Sequence, residues 1–158
     1  MTVLHLHLLL NHVPVVGALF ALLLFIVALT RRETVSAKFA LAFTAAMAAV
    51  AVMVYFTGGA AEEAVEKLAG VTEGSINRHE EAAELTTIAF GVIGGLSLLA
   101  LLAFRSKKPP RWVALAGLVG TLALSALMGW TANLGGQIRH TEIQGASSQQ
   151  PLDRDSGD

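Results

Sequence analysis

Four long apolar stretches, separated by polar connections, dominate the chain. None of the four contains an Asp, Glu, Lys, Arg or His, and they cover Val13–Leu29, Phe39–Phe56, Leu85–Phe104 and Trp112–Ala132. Each is close to the roughly 20 residues that a helix needs to cross the hydrocarbon core of a bilayer. Helices are expected because isolated strands would leave backbone groups unpaired in lipid. The pattern predicts an all-α membrane protein, an up-down bundle of four transmembrane helices.

The composition of the 158-residue chain agrees with a membrane location and excludes several kinds of site. The chain is 54% hydrophobic and only 15% charged, against roughly 25% charged residues in a typical soluble domain. It has no cysteine, which excludes disulfides, cysteine-ligated zinc, iron–sulfur clusters and covalently attached c-type haem. The net charge of −1 offers no general attraction for nucleic acid, so we expect no nucleic-acid partner.

The charged residues are divided unequally between the two ends of the predicted bundle. Seven of the eleven cations lie in two short connections, Thr30–Lys38 and Arg105–Arg111, and eleven of the twelve acids lie on the other side. The positive-inside rule places the basic connections in the cytoplasm. We therefore predict a multi-pass protein of the bacterial inner membrane, with both chain termini on the outer, periplasmic side.

The connection between the second and third stretches carries a shorter amphipathic pattern. We expect Gly58 and Gly59 to end the second helix. After them the apolar residues at helical spacing are Ala61, Ala64, Val65 and Leu68, and the acidic residues opposite are Glu62, Glu63 and Glu66. This pattern predicts a short interfacial helix between spans 2 and 3. We expect the membrane domain to cover residues 1–144 and the polar segment 145–158 to be a disordered tail.

All five histidines fall at the predicted outer end of the bundle. His5, His7 and His12 precede or open the first span, His79 opens the third, and His140 follows the fourth. If the N-terminal region is helical, His5 and His12 share a face, from which His7 points away. On the third helix, one stripe continues from His79 through Ala83, Thr86, Phe90 and Gly94.

One interpretation of these histidines is a non-covalent b-type haem. Neutral imidazoles from two helices are the usual axial ligands of such a haem, and apolar helix faces enclose the porphyrin. We expect the ligands of the haem iron to be His12 and His79, with His140 the next candidate and His5 and His7 less favoured. Small residues such as Gly17 and Gly91 would let the flat porphyrin approach the helices.

A metal site is the alternative for the same end of the bundle. Nitrogen and oxygen ligands for zinc, iron or copper could come from His79, Glu80, Glu84, His140 and Glu142. The Glu-x-x-His pair of di-iron bundles is missing, because Ile76 stands three residues before His79. In a further interpretation each histidine is an interfacial side chain hydrogen-bonded to backbone or water, and the carboxylates form a solvated face.

Three short segments carry a resemblance to a known family. They are HLHLLLNHVPVVG at His5–Gly17, the Arg78-His79 pair, and LGGQIRH at Leu134–His140. Together they resemble a family of uncharacterised bacterial four-helix inner-membrane proteins that are sometimes fused to c-type cytochrome domains. The usual aromatic residue between His and Pro is replaced here by Val13. The resemblance implies a four-helix membrane fold and a connection to respiratory electron transfer.

These observations favour a membrane b-type cytochrome subunit with haem near the outer face. It would pass electrons between quinol and a periplasmic or extracellular acceptor, with Glu80 and Glu84 as candidate proton acceptors and quinone as a further cofactor. The small size favours a subunit with a periplasmic or membrane partner over a complete enzyme. The alternatives are a non-catalytic membrane anchor or assembly subunit, and a metal-binding protein of the periplasmic face.

Overall fold

The protein forms four membrane-length spans built from five helices. The computed structural model describes residues 3–65 and 71–138, with side chains at 5–59 and 71–138. The helices are α1 (Val3–Leu10), α2 (His12–Arg31), α3 (Thr34–Val65), α4 (Glu73–Ala103) and α5 (Arg111–Gln137). The predicted all-α, four-span architecture is confirmed, and the described ranges contain no strand.

The first span consists of α1 and α2 in succession. They meet at Asn11, whose backbone N–H donates to the carbonyl of His7 at 2.9 Å. Because this bond has the i to i−4 spacing of an α-helix, the helical direction continues through the junction. His5 and His7 are therefore part of the first span, which is apolar and long enough to cross a membrane from His5 to Arg31.

The spans form a ring in which each packs mainly against two neighbours. Helix α2 packs between α3 and α5, and α4 packs between the same two helices on the opposite side. Helix α1 lies mainly on α3, and α2 and α4 face each other diagonally without backbone contact. Large hydrophobic side chains such as Leu19, Leu99 and Val119 are exposed around the ring, which is consistent with contact with a lipid bilayer.

Small residues set the distances between the helices. Fully buried Phe25 fills the space beside Gly117, and Ala48 lies directly against Gly94. Phe90 and Leu124 are also fully buried, in a cluster in the middle of the bundle. A methyl group added at Gly117 or Gly94 would overlap its neighbour. The helices can therefore pack this closely only because these two residues have no side chain.

The two basic connections meet at one end of the bundle, which we call the basic end. Lys38 Nζ donates to the carbonyl of Arg105 at 2.7 Å, and Lys108 Nζ donates to the carbonyl of Arg32 at 2.8 Å. Arg32 has a φ of 55° and ends α2 in the left-handed conformation. The opposite end, where α1 begins and α4 begins, is the histidine end. The prediction that both basic connections lie on one side is confirmed.

Helix α3 does not end at Gly58 and Gly59, so that part of the prediction is wrong. The helix continues to Val65. A helical glycine costs only about 1 kcal/mol relative to alanine, and the run of helix formers that follows is sufficient to continue the backbone hydrogen bonds. The rest of the predicted interfacial helix, His140 and the tail 145–158 lie outside the described residues.

Candidate functional site

His7 faces the interior of the histidine end, where it contacts α3. Its Nδ1 lies 3.1 Å from Oγ1 of Thr57, and the Thr57 hydroxyl donates to the carbonyl of Val54 at 2.7 Å. Because the hydroxyl proton is already used in that bond, the Thr57 oxygen accepts from His7 Nδ1–H. A neutral imidazole that donates through Nδ1 keeps a lone pair on Nε2. His7 therefore presents Nε2 as an acceptor or ligand.

His79 is held in the same tautomer by α5. Its Nδ1 lies 3.1 Å from the backbone carbonyl of Thr131, and a carbonyl can only accept, so Nδ1 carries the proton. The ring lies against Gly135, where an added Cβ would be 2.9 Å from Cε1 of His79. The glycine thus forms part of a cradle for the imidazole, and the Nε2 lone pair of His79 is available to a ligand.

Two buried hydroxyl groups fix α4 and α5 beside this cradle. The Thr131 hydroxyl donates to the carbonyl of Ala82 at 3.2 Å, and its oxygen lies 2.9 Å from Oγ1 of Thr86. Since the Thr131 proton is used on Ala82, the Thr86 hydroxyl is the donor to Thr131. The carbonyl that holds His79 therefore belongs to a residue whose side chain is itself hydrogen-bonded in place.

His7 and His79 both lie at the histidine end, on α1 and α4. Their helices have no backbone contact. Asn11 follows His7 by one helical turn and shares its face. Its Oδ1 is buried and has no hydrogen-bond donor among the described residues. The first and third spans thus place two imidazoles and one buried amide oxygen at the same end of the bundle.

His12 lies in a different environment. It is exposed, and its Nδ1–H donates to the carbonyl of Leu8 at 3.1 Å. It borders a groove of about 480 Å³ between α2 and α3, lined otherwise by apolar side chains. The structure does not bring His12 and His79 together, because α2 and α4 lie across the diagonal of the ring and His12 points outward.

The other candidate residues are dispersed. His5, Glu80 and Glu84 are exposed, Gly17 is buried against Met47, and Gly91 is exposed with no neighbour in reach of an added Cβ. Gln137 donates to Asn133 at 2.6 Å along α5.

In the part of the chain that the structure describes, no three His, Asp or Glu residues are grouped as a metal site. The predicted set of His79, Glu80 and Glu84 is therefore not assembled there.

Comparisons with known proteins identify no relative of this chain. No family model matches it, and neither a curated protein nor a solved structure is similar to it. The resemblance of the His5–Gly17 segment to a membrane protein family stays a prediction.

The sequence-based prediction ranks His7 below His12, and the helical phase of the first span reverses that order. The buried positions of α2 include Pro14, Ala18, Ala21, Phe25 and Ala28. Their alternating spacing of three and four residues marks the inner face of a helix. Continuing the same spacing toward the N-terminus leads to Asn11 and then His7, whereas His12 falls outside it. The stripe predicted on the third span is confirmed at Thr86, Phe90 and Gly94, which are buried below His79.

Proposed function

We propose that this protein is a membrane electron-transfer subunit that binds haem b through His7 and His79 at the histidine end. The observation that carries the proposal is the pair of inward-facing imidazoles with protonated Nδ1 and unprotonated Nε2. Metal-ligating histidines have this arrangement, in which the second ring nitrogen donates to a carbonyl or another oxygen and sets the orientation of the ring. The haem would supply reversible one-electron chemistry.

The residues around the pair fit a non-covalent haem. The chain has no cysteine, so attachment through thioethers does not arise and the iron ligands must carry the binding. His7 and His79 come from diagonally opposed spans whose backbones do not touch, which leaves their side chains to bridge the distance. Gly58 lies beside His7 and Gly135 beside His79, so each imidazole contacts a helix surface without a side chain. The assignment moves one ligand from His12 to His7 and keeps His79.

A visible spectrum of the detergent-purified protein tests the proposal. We expect a sharp reduced-minus-oxidised α-band and, by pyridine haemochrome assay, about one haem b per chain, since the bundle end offers one histidine pair. His7→Ala and His79→Ala should each abolish or strongly reduce the haem content. His5→Ala and His12→Ala are the matched controls from the same span and should retain it.

A colourless protein, purified from cells supplied with haem, would contradict the proposal. Removal of the haem by His12→Ala, and not by His7→Ala, would contradict the ligand assignment. Because His→Ala can destabilise a bundle, a rescue measurement is included. Added imidazole should restore the α-band of His79→Gly, which a merely unfolded variant would not show.

Glu80 and Glu84 are proposed as acceptors of the protons that quinol releases on oxidation. Both are exposed on α4 near His79 in sequence, and they are one helical turn apart, so they share a face. Glu84→Gln is expected to slow haem reduction by a soluble quinol, whereas Glu81→Gln, an exposed neighbour, should not. If the rate of haem reduction is unchanged in both variants, Glu84 does not accept the protons of quinol.

The close packing of the bundle favours a second candidate, a non-catalytic membrane anchor that docks a partner at the histidine end. Its middle is filled by Phe90, Leu124 and small residues that meet directly, so the four helices form a pre-assembled support. For an anchor, His7→Ala or His79→Ala would weaken association with the partner with no loss of iron. Stoichiometric zinc or copper in a colourless preparation would instead indicate a metal-binding protein.

A further inference from the structure

An apolar groove lies beside His12 on the surface of the bundle. It lies between α2 and α3, with a volume of about 480 Å³, and His12 is its one ionisable lining residue. Val16 and Phe20 line it from α2, and Phe43 and Met47 line it from α3. From His12 to Phe20 the groove follows the helix axis for about 12 Å, at 1.5 Å per residue.

Two packing features form this groove. Gly17 has no side chain, and Met47 occupies the space above it, with its sulfur where a Cβ at position 17 would lie. At the inner end, the rings of Phe20 and Phe43 meet edge to face with centroids 5.2 Å apart. The groove is thus an open apolar depression on the bundle surface, and His12 lies where it approaches the histidine end.

His12 places a single hydrogen-bond acceptor at this end of the groove. Its Nδ1–H donates to the carbonyl of Leu8 at 3.1 Å, and in the tautomer that this bond sets the lone pair is on Nε2. An acceptor at one end of an apolar groove matches a lipid-soluble molecule with a hydroxyl donor at its head and a hydrocarbon tail. A phospholipid fits less well, because its phosphate would lie beside a lining that contains no Lys or Arg.

We propose that this groove binds an isoprenoid quinol, with one ring hydroxyl donating to His12 Nε2 and the first part of the tail lying along Val16, Phe20 and Met47. The binding site uses different residues from the haem ligands. The role of the bound quinol as an electron donor rests on the proposed function, whereas its binding does not.

Photolabelling of the detergent-purified protein tests the site. The probe is an azido-benzoquinol with a decyl tail, and the labelled peptides are mapped by mass spectrometry. Val16→Trp fills the groove from an exposed position, and Leu19→Trp places the same side chain on α2 at an exposed position outside the groove. We expect label on α2 and α3, at least a tenfold reduction in Val16→Trp, and no change in Leu19→Trp.

Substitution of His12 separates hydrogen bonding from apolar contact. His12→Phe, which keeps an aromatic ring and removes the acceptor, should weaken binding about five- to tenfold, as expected for one hydrogen bond. His12→Gln retains an acceptor and should recover part of the affinity. Equal labelling of Val16→Trp and the wild type would overturn the proposal. So would loss of the label on addition of phosphatidylethanolamine or phosphatidylglycerol at the concentration of the probe.

The failure of this inference can be distinguished from the failure of the proposed function. Labelling is measured in the wild type and in His79→Ala, which lacks a proposed iron ligand and keeps the groove. Groove labelling in a colourless protein would retain the quinol site and reject the haem. A haem-containing protein without groove labelling would retain the haem and reject the quinol site.

Discussion

Histidines only a few residues apart have different surroundings in this protein, and the difference comes from the helical face on which each lies. His7 contacts Thr57 on α3, and His12, five residues later, is exposed beside a surface groove. Five residues correspond to about 500° of helical rotation, well over a full turn, so the two side chains point in different directions. Both rings nevertheless have the same tautomer. Nδ1–H donates to a hydroxyl oxygen in His7 and to a backbone carbonyl in His12.

A prediction at this scale concerns the cradle of His79. Gly135→Ala adds a methyl group that would lie 2.9 Å from Cε1 of the imidazole, so the ring must move away from the carbonyl of Thr131. We expect haem content to fall at least severalfold, measured by the pyridine haemochrome assay. Gly136→Ala is the matched control, because an added Cβ there meets no atom within 4 Å. Equal haem content in the two variants would contradict the role of the cradle.

The hydroxyl of Thr57 gives a second prediction at the same scale. Thr57→Val keeps the shape of the side chain and removes the acceptor of His7 Nδ1–H, leaving that part-buried donor without its partner. Since the bond at Nδ1 makes an imidazole a stronger ligand, we expect a lower haem affinity and a shifted redox midpoint. Thr30→Val, which also removes a hydroxyl bonded to its own helix, should leave both quantities unchanged.

At the scale of whole elements, the contacts between helices depend on glycines at particular positions. Gly94 of α4 is buried against Ala48 of α3, whereas its neighbour Gly95 faces open space. Gly94→Ala should destabilise the bundle by about 1–3 kcal/mol, because overpacking forces the helices apart. Gly95→Ala should be neutral or slightly stabilising, as expected for alanine in a helix.

Thermal unfolding of the two variants in detergent, followed by circular dichroism, measures this difference. Ala48→Gly should restore the stability of Gly94→Ala if the two methyl groups are the cause. A Gly94→Ala melting temperature equal to that of Gly95→Ala would show that α3 and α4 are not in the contact described.

The sequence predicts the elements better than it predicts the site. Four uninterrupted apolar stretches are enough to predict four spans, because a helix satisfies its backbone hydrogen bonds within one stretch of this length. The extension of the first span to Val3 was not predicted, since His5 and His7 interrupt its hydropathy. Gly58 and Gly59 indicated a helix end, although local context allows the helix to continue. Which histidine faces inward depends on helix phase, and phase requires knowing that α1 continues into α2.

At the scale of the whole molecule, the bundle has two chemically distinct ends. Lys38 and Lys108 join the two basic connections by hydrogen bonds to backbone carbonyls, so the positive charge is concentrated on one short surface. The described histidines lie at the opposite end, together with the exposed carboxylates of Glu80, Glu81 and Glu84. An anionic end and a cationic end separated by four apolar spans would give the protein a single favoured orientation in a membrane.

The orientation itself is the final prediction, and the absence of native cysteine makes it directly measurable. Ser106→Cys places a thiol at the basic end and Asn77→Cys places one at the histidine end, both at exposed positions. Because short loops rich in Lys and Arg are retained in the cytoplasm, a membrane-impermeant maleimide should label Asn77→Cys in bacterial spheroplasts. Ser106→Cys should react only after the membrane is permeabilised. Labelling in the reverse pattern would place the histidine end in the cytoplasm, where the proposed electron acceptor would also have to lie.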